Sequence, residues 1–431
     1  MQPRVIDAFD AVAEYVSQRV SDGDEEDHIS AEELWNDVFG LSGGNLRAVD
    51  GGTVLYADKK ADIWTEYSGF DRSYGIDAST TRDISFQNGL ILDVANAVIG
   101  VKDGDGSLEN HRSIVAGVYY DDGMETFENE TVHDTSWNTE YGPVSTHGEA
   151  VFLPSSQGFA RSPSEWVSAA AQSLAEGRHM RRYVHELDGP LFVDGTLYPL
   201  SVLSRILFIK AENTFVPPEW EQATNEMVQN YIDTIEMQLN SGHPVVALSK
   251  TMNTTEILNA VEAKQESLNE TYRMPWQDDY RFVSDLLSRP PHDNQTYTYT
   301  SWILQEQTSM MGETFELVED FEFNYYSPTD LRRAYFFVRV PRYGNIFRVE
   351  TPWVFLKETS RGDRELFQQA ILRELVETED IPRATKQADH EARMNPDIRD
   401  RIVENIHDVE PITEYNRDIR WTHLAYEGEE L

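Results

Sequence analysis

Cysteine is absent from the 431-residue chain, which excludes disulfides, thiolate metal sites and a cysteine nucleophile. Any metal must therefore be held by oxygen or nitrogen. Lysine is scarce too: it stands at only eight positions, and arginine supplies the rest of the 36 basic residues. No run of about 18 apolar residues is present to cross a membrane as a helix. Met1 to Val20 carries Asp7, Asp10 and Glu14 among its apolar residues and does not read as a secretory signal.

What the chain has in excess is acid, with 76 Asp and Glu against 36 Lys and Arg and a net charge of −40. That charge exceeds what solubility in an ordinary cytosol requires. In molar salt the self-repulsion is screened within about 3 Å. The composition therefore predicts a cytoplasmic protein adapted to high internal salt, and low salt is expected to destabilise it. An acidic disordered chain is excluded by a composition that is 40% hydrophobic and 11% aromatic.

Helices and strands alternate along the chain. Val5, Phe9, Val12, Val16 and Val20 fall at helical spacing, and a short helix is predicted from Ser30 to Phe39. Leu46 to Tyr56 reads as strand, glycine turn, strand, and the apolar run Gly89 to Val101, with Asp93 inside it, as a strand or a strand entering a helix. From Lys102 to His147 the sequence is polar and rich in Asp, Gly and Asn, which predicts an irregular insertion over about 102–160. A helix is expected from Ser162 to about Gly177, followed by a strand and turn over Arg182 to Leu191. Further helices are expected over Pro218–Leu239, Thr254–Ser267, Asp278–Leu287, Asp363–Glu377 and Pro382–Met394. Strands are expected over Pro244–Lys250, Tyr297–Leu304, Ala334–Val340 and Ile346–Thr351. The mixture predicts an α/β fold around one central mixed β-sheet, with an N-terminal helical extension over 1–40, a main domain over 41–395, and a C-terminal helix and acidic tail over 396–431.

In a chain with so many carboxylates, only position distinguishes one from another. Asp50 and Asp188 each end an apolar run and precede a glycine. A carboxylate fixed by a strand beside a glycine turn suits a divalent cation, and magnesium and manganese prefer oxygen ligands. Asp-Gly is also a turn signal wherever it occurs. Lys250 ends a predicted buried strand, where a cation could neutralise charge developing on a phosphate. Arg348 and Glu350 alternate on one strand and so share a face, available for pairing with each other or for fixing a phosphate.

Four motifs, Val49-Asp50-Gly51-Gly52, Leu187-Asp188-Gly189-Pro190-Leu191, Val246-Ala247-Leu248-Ser249-Lys250 and Phe347-Arg348-Val349-Glu350-Thr351-Pro352, occur in an order that resembles the NurA nuclease family, in a haloarchaeal form. The resemblance runs from about Arg47 to Asn395. It implies an RNase H-like core and manganese- or magnesium-dependent cleavage of DNA. It implies 5′-to-3′ exonuclease action, with single-strand endonuclease activity as a further capacity, in DNA end resection during double-strand break repair. It also implies a homodimer working with a HerA-type hexameric helicase/translocase.

Transferred residue by residue, the resemblance assigns Asp50 and Asp188 as metal ligands. It places a metal-binding Glu on the helix before the second Asp, where Glu165 and Glu176 compete and Glu165 is preferred. An acid at Glu165 is equally explained by a helix N-terminus. The family's last motif, a Tyr-Pro followed by a His, is altered here to Ile381-Pro382 and Ala388-Asp389-His390-Glu391-Ala392. Strict register puts Asp389 at the His position, and His390 lies about 100° away on the helix. Asp389 as a fourth oxygen ligand, or His390 after a shift, are both consistent with the pattern.

Basic residues concentrate near these motifs at Arg178, His179, Arg181, Arg182, Arg332, Arg333, Arg339, Arg342 and Arg348. Lys250, Arg348, Arg181 and Arg182 are therefore expected to contact DNA phosphate, although arginine-rich strands also serve as salt-bridge partners. Two further readings remain open: a noncatalytic partner or scaffold of a DNA translocase, and a nuclease acting on RNA or hybrids.

Overall fold

The computed structural model describes residues 11–15, 29–39, 46–66, 69–86, 88–103, 108–120, 129–139, 142–156, 163–250, 254–268, 274–290, 292–306 and 321–409. Residues 11–15 are helical; the rest of the helix expected over Val5 to Val20, and the acidic tail beyond residue 409, lie outside the described residues.

Fourteen strands join in one mixed sheet. In chain order they are β1 (Leu46–Ala48), β2 (Leu55–Lys59), β3 (Ser73–Thr80), β4 (Ile84–Ser85), β5 (Ile91–Lys102), β6 (His111–Tyr120) and β7 (Glu130–Thr139). There follow β8 (Gly142–Pro154), β9 (Leu191–Asp194), β10 (Val245–Ser249), β11 (Thr296–Thr300), β12 (Ile303–Gln305), β13 (Arg333–Val340) and β14 (Asn345–Pro352). The central order is β6-β5-β3-β9-β10. β5 runs antiparallel to β3 and to β6, whereas β9 lies parallel to β3, and β10 parallel to β9. Helix Pro163–Tyr183 precedes β9, and helices Leu200–Ala211 and Pro218–Asn240 connect β9 to β10. This is the α/β, RNase H-like arrangement that the sequence predicts.

β5 is buried along almost its whole length, as a strand covered on both faces must be, which is why it reads as a continuous apolar run. One face packs under helices Pro163–Tyr183 and Pro218–Asn240 through Ile76, Ala97, Leu174, Val193 and Trp220. On the other face, Phe192, Val246 and Phe336 pack against Leu372 and Leu375 of helix Arg361–Thr378. That second face also receives helix Arg383–Ala392, whose Ala384, Ala388 and Ala392 recur every four residues and are fully buried. Its backbone lies directly on the sheet. A Cβ on Gly75 would stand 2.3 Å from the Thr385 nitrogen, and one on Gly100 would stand 2.3 Å from the Ala384 oxygen. Glycine on the strands and alanine on the helix are thus jointly required. The last turn is tied down by Asn96, whose amide donates to the Ala392 carbonyl at 2.9 Å.

Two segments differ from expectation. Between residues 102 and 160, where an irregular insertion is predicted, the described residues form β6, β7 and β8. β6 opens on the polar His111-Arg112-Ser113 and continues as the apolar run Ile114 to Tyr120, a strand signal inside the polar stretch, whereas β7 is exposed along its whole length and shows no apolar run. Residues Arg182 to Leu191, predicted as strand and turn, instead hold the end of the long helix, a short 3-10 turn at Val184–Glu186 and a bend. Only Leu191 opens β9.

Candidate active site

The carboxyl ends of the three parallel strands β3, β9 and β10 lie side by side, the position where open α/β sheets bind ligands. β3 and β9 pair through Gly75 with Phe192 and Ile76 with Val193, so the next residues are Asp77 and Asp194. Side chains two apart on a strand share a face. Gly75 faces helix Arg383–Ala392 and Phe192 faces the same side, so Asp77 and Asp194 do too. The ladder stops there, and the exposed edge of β3 admits a third carboxylate, Glu176, from the opposite face. The Ala78 backbone acts on both the Asp77 and the Glu176 carboxyls, holding each pKa down against burial.

Asp389 joins from the covering helix. Ala388 is buried against the sheet, which turns Asp389 about 100° aside and His390 about 200°, outward. The His390 side chain is 76% exposed and meets only Glu391 in its ion pairing, whereas the Asp389 charge acts on both Asp77 and Asp194. Lys250, just past the end of β10, lies 3.3 Å from Asp194 Oδ2. Asp389 is paired with Arg393 at 2.8 Å.

The electrostatics are those of an undercompensated acidic cluster. Burial, then the charges of Glu176, Asp194 and Asp389, push the Asp77 carboxyl up to about 8. Burial raises Glu176 to about 7 against the opposing hydrogen bonds of Tyr231 and Gln172, and the Asp194 charge adds to the rise. Asp194 is also raised by burial, an effect that Lys250 partly offsets. All four carboxylates offer hard oxygen donors, and their mutual repulsion is what a divalent cation would relieve. As the side chains stand, no three His, Asp or Glu among the described residues already converge on one ion position.

The loop after Asp194 is fixed at two points. Gly195, at φ +136°, donates to the Leu248 carbonyl at 3.0 Å, and Leu197 donates to Glu350 Oε2 at 2.8 Å. Only glycine adopts that backbone without strain. Glu350 is itself clamped by Arg348 at 2.7 Å and Arg333 at 3.2 Å. The Arg348-Val349-Glu350 motif thus braces the Asp194 loop from beneath.

The other predicted site residues lie elsewhere. Asp50 sits in the turn after β1, ion-paired with Arg364. Four strands separate β1 from β9 in the sheet, roughly 24 Å at the usual strand spacing. Asp188 is at the amino end of β9, about 20 Å along the chain direction from Asp194. Its side chain is 63% exposed and is held by Tyr74 at 2.6 Å and Arg72 at 2.8 Å, which lower its pKa in that order. Glu165 is exposed in the first helical turn, eleven residues and about 16 Å from Glu176. Of the four residues read as phosphate contacts, only Lys250 reaches the cluster. Arg348 is buried with Glu350 and Glu256. Arg181 pairs with Asp233 at 3.0 Å, and the Arg182 charge acts on His147 and His179. Arg178, Arg333 and Arg342 are likewise paired with acids.

Sequence reasoning passed over Asp77 and Asp194. A signal existed for the second: Leu191-Phe192-Val193-Asp194-Gly195-Thr196-Leu197 ends an apolar run and carries Asp-Gly-x-Leu, as Asp188 does six residues earlier. Glu176 was also distinguishable, because it precedes Gly177 inside a helix, and an interior glycine needs a packing reason.

The sheet order and the carboxylates at its parallel strand ends define an RNase H-like protein with an acidic centre. The chain belongs to the NurA family: the NurA domain model matches residues 73–394. Asp77, Glu176, Asp194 and Asp389 fall within that match and Asp50 falls outside it. The chain is similar to the NurA nuclease of Sulfolobus solfataricus at 11% identity, covering 95% of this chain and 97% of that one with a TM-score of 0.46. A NurA structure with manganese is 10% identical over 83% of this chain and 94% of that one, TM-score 0.38. A NurA structure bound to dAMP and manganese is 10% identical over 78% and 88%, TM-score 0.28. No curated protein sequence matches. Among the described residues no helix is long and apolar enough to cross a membrane.

Proposed function

We propose that this protein is a divalent-metal-dependent DNA nuclease whose acidic centre comprises Asp77, Glu176 and Asp194, with Asp389 as a fourth oxygen donor. The observation that carries the proposal is the placement of Asp77 and Asp194 at the carboxyl ends of β3 and β9, with Asp77 pushed up to about 8 by burial and by the charges of Glu176, Asp194 and Asp389. Family membership supports the nuclease assignment and a manganese or magnesium cofactor.

When bound, such a cation would activate water and stabilise the leaving oxygen of a phosphodiester. Asp77, Glu176 and Asp194 would hold it, and Asp389 in place of the family's His keeps the donor set all-oxygen. Lys250 would exchange its bond to Asp194 for a phosphate oxygen. With Arg348 and Arg181 already ion-paired, Lys250 is the cation best placed to meet the substrate.

The same reading extends to DNA end resection by 5′-to-3′ digestion, as a homodimer beside a HerA-type translocase. A net charge of −40 repels DNA, and molar salt weakens phosphate contacts, so delivery of the strand by a partner fits this surface. The test is cleavage of linear DNA in molar KCl with manganese, with RNA and hybrid competitors. Wild-type protein and Asp50→Ala should cleave DNA, whereas Asp77→Asn and Asp194→Asn should not. Undiminished metal-dependent cleavage by both Asn variants would overturn the proposal.

A further inference from the structure

Glu176 is 6% exposed, and both its oxygens are occupied by neutral donors. Tyr231 of helix Pro218–Asn240 donates its hydroxyl to Oε2 at 2.6 Å, and Gln172, one helical turn before Glu176, donates its amide to Oε1 at 3.0 Å. The Tyr231 contact is built into the helix pairing through the next residue. A Cβ on Gly177 would meet Asn230 Cβ at 3.0 Å and the Tyr231 ring at 3.4 Å, so glycine lets the ring lie against the helix backbone and point its hydroxyl back to Glu176. An interior glycine weakens a helix by about 1 kcal/mol relative to alanine. Here the lost Cβ makes room for this ring.

A buried glutamate kept for stability alone is ordinarily paired with a cation or replaced by a neutral group. The interactions that set the Glu176 charge come instead from Tyr231, Gln172, the Ala78 N–H and Asp194. Two neutral donors fix the direction of the carboxylate without neutralising it, as outer partners of metal ligands do.

We propose that Tyr231, assisted by Gln172, is the positioning residue of the acidic centre, fixing the direction of the Glu176 carboxylate toward the β3 edge that carries Asp77. This rests on the reading of that centre as a divalent-cation site. Asp77, Asp194 and the Ala78 N–H face Glu176 from the sheet, Tyr231 from the neighbouring helix and Gln172 from its own.

The experiment is manganese titration by calorimetry in molar KCl between pH 6 and 9, on wild type, Tyr231→Phe, Glu176→Gln and Tyr183→Phe. Tyr183 is a second buried tyrosine, whose hydroxyl meets Ser145. Tyr231→Phe keeps the ring and should bind manganese about tenfold more weakly or worse. Its kcat should fall with little change in KM for DNA. Tyr183→Phe should lower Tm and leave manganese affinity unchanged. Unaltered affinity and kcat in a folded Tyr231→Phe, with binding abolished in Glu176→Gln, would overturn the positioning role and leave the metal centre standing. Absence of manganese binding in wild type would overturn both.

Discussion

Glu176 and Glu350 are both sealed inside the protein, and the two regions around them treat a buried carboxylate in opposite ways. On the β13–β14 side, burial would raise Glu350, but Arg348 and Arg333 outweigh it and hold the carboxyl below its ordinary range. On the β3–β9 side, burial and Asp194 push Glu176 up to about 7, and its hydrogen-bond donors are neutral. One carboxylate is compensated within the protein and supports a loop. The other is left undercompensated beside two more acids, an expensive arrangement unless a cation arrives from outside. In so acidic a chain, lack of compensation in the interior marks function better than acidity does.

That contrast can be broken most sharply by neutralising each glutamate in turn. Glu176→Gln should lower cleavage by about a thousandfold, roughly 4 kcal/mol of barrier, while the fold stays at least as stable near pH 8. A variant that cleaves normally would place Glu176 among structural acids. Glu350→Gln leaves two buried guanidinium groups without their carboxylate and should lower unfolding stability by about 3–5 kcal/mol in denaturant titration. Retained stability there would show that the network is not self-compensating.

Smaller but opposite effects are expected with pH. Asp77 and Glu176 have folded values raised above their unfolded ones. Their contribution is therefore fully present below about pH 4 and is lost as pH rises through about 7 to 8. For Glu350 the folded value is lowered, so its contribution is present above its unfolded value and lost as pH falls through the folded one. Melting of the metal-free protein should thus show a decline from pH 5 to 8 that manganese reverses, and that Asp77→Asn flattens. A flat profile in wild type would remove the electrostatic case for the centre. The smallest effect belongs to Asp188→Asn, which should leave cleavage at the wild-type rate because Arg72 and Tyr74 already occupy that exposed carboxylate.

Much of the fold was legible because apolar patterns announced it. β5, β10, β13 and β14 are buried and read as apolar runs, and the helices over 218–240 and 361–378 carry regular apolar spacing. β3 and β7 have no such signature: the first carries glycine, Asp, Ser and Thr, and the second has no buried face. The site was legible only in part. Lys250 and Asp389 lie beside the proposed centre, where both act on Asp194, and the sequence offers Glu176 as the alternative to Glu165. Asp77 was hidden because nothing in its own neighbours distinguishes it from other acids.

By itself, the sequence determined what kinds of ligand atom are available, the exclusion of thiolate chemistry, the α/β class and the family. Only the tertiary structure decided which acids lie near one another. That arrangement depends on the register of β3 against β9, on a glycine-and-alanine contact that turns Asp389 to the side of its helix and His390 outward, and on helix packing that buries Glu176 and leaves Glu165 exposed. These are long-range contacts between segments separated by as much as about 310 residues, as Gly75 is from Thr385. The energy of a carboxylate depends on what surrounds it in space, and residue spacing along the chain does not encode that.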